Sequence, residues 1–398
     1  MAKIIPPKYV KQVLVGLQAR EYRAYLVGGC VRDMIIGVTP NDWDICTSAL
    51  PEEVMEVFPD SRPTGLKHGT VTVIVGSHSV EVTTFRSDGS YSDHRRPDSI
   101  SFVTDLTADL SRRDFTMNAV ALSPDGLTVD PFCGIEDIRA GIVRCVGEPE
   151  RRFEEDALRM FRALRFAARL GFTIDIDTYS AIEAKSNLAA SLAAERVRDE
   201  LEKTLMTNHT QRIGEMIQLG LLDRYVRRPQ GEPPSLSVLS GLQKKALPRW
   251  AVFAIILEKD GCIGSVRDFL TGLRLDGRTI RCCSNAADMV QSPPPDDKLG
   301  WKKMLNKYGV DSTACAAAAY SSLTGCNECE KQFISVLKSG ECFSMRRLAV
   351  TGDDLLELGL RGPQLGEMMR FLLEYVMEHP EFNSRDILLT LASGTEES

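Results

Sequence analysis

The chain has 398 residues, 43% of them apolar and 26% charged, and carries a formal net charge of −7. Such a length and balance fit a globular protein of two or three domains and exclude a disordered or collagen-like polymer. The 55 acidic against 48 basic side chains also argue against a protein that coats nucleic acid indiscriminately, while leaving room for a local basic groove.

No window approaches the roughly 18 uninterrupted apolar residues that a membrane span needs, and Met1 to Lys11 carries no apolar signal core. A cytoplasmic protein is therefore expected. The 11 cysteines, an odd number without an export signal, read as reduced thiols and not as a disulfide framework.

Along the chain, Leu26-Val27 ends an apolar strand, Gly28-Gly29 makes a turn, and a helix follows with Arg32 and Asp33 in its first turn. Glycine lets backbone N–H groups approach an anion, the helix start adds partial positive charge, and Arg32 could clamp a phosphate in bidentate fashion. By itself a Gly-Gly is equally an ordinary strand-to-helix turn.

After the turn signal Thr39-Pro40-Asn41, Asp42-Trp43-Asp44 reads as the opening of a strand. Period-two alternation places both carboxylates on one face, roughly 6.6 to 7 Å apart. That span lets them converge on one or two Mg²⁺ ions with bonds of ~2.1 Å, although an isolated Asp-x-Asp is more often a solvated turn. Two further strands are expected at Val71 to Val75 and Val80 to Phe85, the second carrying a solitary carboxylate, Glu81. Phe85 to Pro97 is polar and should form a mobile loop. The first 145 residues or so thus read as a mixed α/β domain.

From about Phe153 onward the texture is Ala, Leu, Glu and Arg at helical spacing, with no second sheet expected. Arg151 to Leu170 reads as one helix, with Leu158, Phe161, Leu164 and Ala168 on its apolar side. Its other edge is a ladder of Glu155, Asp156, Arg159, Arg162, Arg165 and Arg169. The plainest account of that ladder is a solvated face in which Glu155 and Asp156 pair with Arg159, at about 0.3 to 0.5 kcal/mol per pair. Breaks follow at Pro229 to Ser237 and Ser292 to Asp297, each rich in proline, and Ala314 to Ala319 reads as a tightly packed helix. Cys326-x-x-Cys329, with Cys315 and Cys342 as conceivable partners, lacks the second pair that a zinc site needs. His68, in a turn before Gly69, reads as structural.

A Gly-Gly turn, twelve residues, an Asp-x-Asp and then a strand glutamate together resemble the nucleotidyltransferase superfamily. The runs Leu26 to Asp33, Asn41 to Thr47, Lys67 to Thr70, Arg112 to Ala119, Asp130 to Phe132 and Glu155 to Arg159 narrow the resemblance. They occur in the order found in bacterial-type (class II) CCA-adding tRNA nucleotidyltransferases, whose relatives the bacterial poly(A) polymerases share most of them. The resemblance covers residues 20 to 205.

It implies an α+β head (1–145) followed by an all-α neck (146–207), body (208–291) and tail (292–398), the last gripping tRNA. The implied reaction moves a nucleotide from CTP or ATP to an RNA 3′-hydroxyl with release of pyrophosphate. Asp42 and Asp44 would hold Mg²⁺, with Glu81 the third carboxylate. Gly28, Gly29 and Arg32 would cradle phosphates, Arg113 would add a second guanidinium, and Asp114 would meet a ribose hydroxyl. Asp156 and Arg159 would act as a protein template for the base, with Arg162 and Arg165 beside it.

The template has a hydrogen-bond logic. Cytosine and adenine each present an amino donor beside a ring-nitrogen acceptor, matching a carboxylate beside a guanidinium. Uracil and guanine present a carbonyl and an N–H there instead, so each would leave like groups facing like, at about 1 to 3 kcal/mol per unsatisfied buried group.

The length of the 85–97 loop favours full CCA or A-only addition. Poly(A) polymerase stays the close alternative, and a noncatalytic RNA-binding relative is disfavoured because all three carboxylates are present. Lys302, Lys303, Lys307, Arg274, Arg278 and Arg281 are candidate RNA-phosphate contacts. The absence of a His-Asp dipeptide argues against the phosphohydrolase domain that some relatives carry. Oligomeric state is left open.

Overall fold

The computed structural model describes residues 6–89, 99–325 and 327–394, and these form two compact units divided between Pro233 and Pro234. The expected head and neck fall in the first unit, and the segment 208–291 is shared between the two.

The first unit opens with helix α1 (Lys8–Gln18), which buries Val10, Val13, Leu14 and Leu17 as one helical stripe. Strand β1 (Ala24–Val27), helix α2 (Gly29–Ile36), strand β2 (Asp44–Thr47) and helix α3 (Pro51–Val57) follow. Next come β3 (Ser61–Gly65), β4 (Thr70–Val75) and β5 (His78–Thr84), then a hairpin of β6 (Arg86–Asp88) and β7 (Ile100–Phe102). Of the expected mobile loop, residues 90–97 lie outside the described residues. Helix α4 (Leu106–Ser111) is capped by Asp105, whose carboxylate accepts from the Thr107 and Ala108 amides. Strands β8 (Ala121–Leu122) and β9 (Thr128–Val129) close the sheet, and helix α5 (Gly134–Ala140) follows.

The seven strands run in the order β3-β4-β5-β2-β1-β8-β9. Every pairing is antiparallel except β2 with β5, which is parallel and sets Asp44 directly beside Glu81. Alternation along β4 and β5 explains the facing: Val71, Val73, Val80 and Val82 are buried, so Glu81 is on the opposite, open face. Behind the sheet, Val27, Cys46, Phe85, Leu106 and Leu110 form one core cluster.

Three expectations need correction here. Asp42 precedes β2, in a bend, so strand alternation does not align it with Asp44. A second small sheet exists: β10 (Ile142–Val143) pairs in parallel with β11 (Thr173–Ile174), across the expected head-to-neck border. The charged ladder is also not one helix. Helix α6 (Pro149–Glu155) ends before Asp156, whose extended backbone (φ −146°, ψ 103°) breaks the run, and α7 (Leu158–Leu170) starts afresh. The reason is local competition: the Asp156 carboxylate accepts from the Leu158 amide at 3.1 Å, a cap-like bond that an uninterrupted helix would not allow. The unit finishes with α8 (Ile176–Lys185), α9 (Ala194–Leu205) and α10 (Gln211–Gln218).

Among its described residues the second unit has helices and no strand: α11 (Ala246–Lys259), α12 (Val266–Gly272), α13 (Gly277–Met289), α14 (Lys298–Thr324), α15 (Glu328–Ser339), α16 (Gly352–Glu357), α17 (Pro363–Glu378) and α18 (Arg385–Gly394). Nine consecutive residues of α11, Arg249 to Leu257, are buried, marking it as the central helix. The expected alanine helix lies in α14, which kinks at Gly309 (φ 79°, ψ 170°) before its Ala316 to Ala319 stretch packs inside.

Lys302 is a correction to the RNA-contact set. It is 3% exposed, donates to the Met377 carbonyl at 2.9 Å and pairs with Glu341, so it braces the unit from within. Arg278 pairs with Asp311 on the surface, Lys303 lies near Glu378, and Lys307 lies over the Tyr308 ring. Eight cysteines, Cys30, Cys46, Cys145, Cys262, Cys282, Cys283, Cys315 and Cys342, are buried free thiols, and Cys326 lies outside the described residues. No helix among the described residues is long and apolar enough to cross a membrane.

Candidate active site

A cavity of about 560 Å³ opens where the first strand-to-helix turn of the head meets helix α7. Nine arginines and three aspartates line it, a local cationic excess inside an acidic chain. Such a lining suits a polyanion.

One end is the Gly28-Gly29 turn at the start of α2. Gly28 has φ +76°, and a side-chain carbon there would sit 3.1 Å from Arg113 Nη1 and 3.5 Å from Asp44 Oδ2. Only glycine lets guanidinium, carboxylate and helix N-terminus share this corner. Arg113 Nε is buried without a hydrogen-bond partner, a donor available to a ligand in a site built for anions.

Beside it stand the carboxylates. Asp44 titrates above its ordinary range because it is buried and faces the negative charge of Glu81; Arg113 opposes the shift and Asp42 adds to it. Asp44 and Glu81 also line a smaller adjoining cavity of about 230 Å³ with Arg112 and Arg113. Among the described residues there is no preformed group of three acidic, histidine or cysteine side chains that could hold a metal ion. The fit to a divalent cation rests on crowding: carboxylates that repel one another gain a countercharge when a cation binds between them.

Arg32 departs from the expected phosphate clamp. It is 2% exposed and donates through Nε and Nη2 to Asp33 and through Nη1 to Asn118 (2.7 Å), which makes it a strut in the wall. Asp114 is likewise engaged. Its Oδ1 accepts from the Phe115 amide (2.9 Å) and Asn118 Nδ2 (3.2 Å), and its Oδ2 from Arg162 Nε (2.8 Å). Burial would raise its pKa, but the Arg162 charge and these hydrogen bonds overcome that and hold it well below the usual carboxylate range.

The expected template pair is present in the cavity but is not a pair. Arg159 donates from Nη1 to Glu155 (2.7 Å) and to the Arg152 carbonyl (3.0 Å). Asp156 instead receives a fork from Arg196 on α9, Nη1 to Oδ1 at 3.1 Å and Nη2 to Oδ2 at 2.8 Å. Breaking the helix at Asp156 turns its carboxylate toward α9, so the side chains expected to meet at i and i+3 find different partners. Arg165 pairs with Glu200, and its guanidinium carbon lies 4.0 Å from the centre of the Phe166 ring.

The structure therefore gathers Gly28, Gly29, Arg32, Asp44, Arg113, Asp114, Asp156, Arg159, Arg162 and Arg165 around one cavity. Glu81 joins through the smaller cavity and Asp42 only through its charge on Asp44. Sequence reasoning missed Arg86, Arg112, Asn118, Phe166 and Arg196, and it placed Arg169 in the ladder without a role. Arg112 and Asn118 stood inside a motif already quoted, whereas Arg196 is 40 residues from the aspartate it holds and gave no local signal.

Family models match at residues 24–144, as the poly A polymerase head domain, and at 171–229, as the probable RNA and SrmB-binding site of polymerase A. A CCA-adding enzyme of Geobacillus sp. (strain WCH70) is 36% identical over 382 residues, 94% of this chain and 93% of that protein. This chain belongs to the CCA-adding enzyme family. A second CCA-adding enzyme, from Limosilactobacillus fermentum, is 35% identical and covers 96% of this chain and 95% of its own. The Bacillus stearothermophilus CCA-adding enzyme, solved in complex with CTP, superposes with a TM-score of 0.83 at 31% identity, covering 98% of each chain. The α+β head and the helical remainder are thus those of the CCA-adding enzymes.

Proposed function

We propose that the chain adds C, C and A to the 3′ end of tRNA from CTP and ATP, without a nucleic-acid template, and releases pyrophosphate. The observation that carries this reading is a single arginine-lined cavity holding the Gly28-Gly29 turn and Asp44 together with Asp156 and Arg159. Phosphate-binding and base-reading groups share one chamber. tRNA is the RNA partner, and the cytoplasm is the compartment in which such an activity belongs.

The triphosphate sits against the Gly28-Gly29 turn, where the N-terminus of α2 and the open donor of Arg113 neutralise it. Asp42, Asp44 and Glu81 would hold the divalent cation, Mg²⁺. When bound, that ion lowers the pKa of the attacking hydroxyl and screens the triphosphate charge. Asp114, fixed by Arg162 and Asn118, presents its remaining acceptor capacity toward the ribose. Asp156 accepts from the exocyclic amino group while Arg159 donates to the neighbouring ring nitrogen, which rejects UTP and GTP. Arg196 holds Asp156 and Glu155 holds Arg159, so base binding at these two groups would exchange ion pairs.

The test is single-nucleotide extension, with Mg²⁺, of tRNAs ending at the discriminator base, after one C and after two, beside an unstructured RNA. Two cytidines and one adenosine, added only to tRNA and stopping there, are expected. Addition of A alone makes the chain an A-adding specialist. A lengthening A tail on unstructured RNA makes it a poly(A) polymerase.

A further inference from the structure

Arg112 and Arg113 are adjacent in sequence, yet both line the large cavity and both line the small one. Two guanidiniums held side by side repel each other, and an ordinary helix end would let them splay into solvent. What holds them is Asp109, on α4, a carboxylate with 0% exposure. Arg112 donates to its Oδ1 from Nε at 3.0 Å and Nη2 at 2.8 Å, and Arg113 Nη2 donates to Oδ2 at 3.3 Å. A third donor, the backbone amide of Arg86 at the start of β6, reaches Oδ1 at 3.2 Å. One buried anion therefore ties two cavity arginines and a sheet edge together.

The arrangement has a direction. With Nη2 drawn back onto Asp109, Arg113 is left with Nη1 beside the Gly28 turn and an unpartnered Nε. We propose that Asp109 is a positioning residue for triphosphate binding: it aims the Arg112 and Arg113 guanidiniums at the phosphates shared by CTP and ATP. This rests on the reading of the cavity as a nucleotide site and extends it to a residue that touches no ligand. Asp109 acts on the part of the substrate that the two nucleotides have in common, so it should not affect base choice.

Asp109→Asn keeps the shape and removes the charge. With wild-type addition to tRNA established first, the variant is expected to raise KM for CTP and for ATP together, by about tenfold, as two charge-assisted contacts lose their aim. Inhibition by inorganic tripolyphosphate should weaken by the same factor, while the CTP-to-UTP preference stays as in the wild type. Asp109→Glu, which restores the charge, should recover part of the loss. An unchanged KM for both nucleotides, or a fall in kcat alone with tripolyphosphate inhibition intact, overturns the proposal and leaves Asp109 a structural residue. If Asp109→Asn does not fold, Arg112→Gln reads the same arrangement from the cavity side: KM for both nucleotides must rise together, and an unmoved KM overturns it. Failure of the wild-type chain to extend tRNA at all would count against the function, not against this inference.

Discussion

The sheet and the helices that follow it handle charge in opposite ways. At the head's carboxylate corner, Asp44 faces Glu81 across a parallel strand pair and is raised in pKa by burial and by that neighbour. On α7 every arginine of the ladder has an anionic partner: Arg159 with Glu155, Arg162 with Asp114, Arg165 with Glu200 and Arg169 with Asp33. The corner sets two carboxylates beside each other, whereas each arginine of the ladder is matched by a carboxylate. Under the proposed function the first condition serves cation binding and the second base selection.

The contrast can be broken most severely at the corner. Asp42→Ala or Asp44→Ala should cost about a thousandfold or more in nucleotide addition while the circular dichroism spectrum stays native. Retained activity in either variant removes the metal assignment. Asp44→Asn should at the same time raise the thermal midpoint at neutral pH in divalent-free buffer. A carboxyl whose folded pKa is raised lends stability below its unfolded pKa and loses it as pH rises through the folded value, so at pH 7 the ionised form is a cost.

Asp114 should behave in the reverse sense. Its folded pKa is lowered, so its contribution is present above the unfolded value and is lost as pH falls through the folded one. Asp114→Asn should destabilise the first unit by about 1 kcal/mol at pH 7, because the nearly buried Asp114 loses its charge-assisted bonds while Arg162, a third exposed, is partly rescued by solvent. Equal unfolding midpoints for wild type and variant at neutral pH would erase the difference between corner and ladder.

Base choice tests the ladder itself. Replacing Asp156 and Arg159 together should reduce the preference for CTP over UTP about a hundredfold while slowing CTP addition less. Arg196→Met, which frees the Asp156 carboxylate from its fork, should lower that preference by a smaller factor of about five. An unaltered UTP-to-CTP ratio in the Arg196 variant would show that the fork is structural only. The smallest effect expected is on the acid limb of the pH–rate profile at limiting Mg²⁺: activity should fall at a higher pH than an ordinary carboxylate gives, because Asp44 must be ionised to capture the cation and protonates early, and saturating Mg²⁺ should move that limb to lower pH.

The residues of the corner between Gly28 and Asp44 were legible from local rules. The Gly28-Gly29 turn, the strand carrying Asp44 and the alternation that exposes Glu81 each depend on neighbours one to four positions away. The ladder was legible as composition but not as geometry. Helical periodicity predicted one straight edge, and a single aspartate that caps the following amide broke it. Lys302 failed for a related reason: a lysine on a helix reads as solvated until a carbonyl and a carboxylate on other segments are known to enclose it.

By itself the sequence determined the family, because a Gly-Gly turn, a strand bearing Asp44 and the charges Asp156 and Arg159 follow one another at fixed spacing along the chain. Spacing alone also held the Glu155–Arg159 pair, four residues apart on the ladder. The tertiary structure alone decided the distant partners: Arg196 on Asp156, 40 residues away, and Glu200 on Arg165, 35 residues away. Local periodicity shows which side of an element a charge occupies and which neighbour one turn away can meet it, whereas a counterion on another element is set by how the elements pack, a choice that spacing along the chain does not encode.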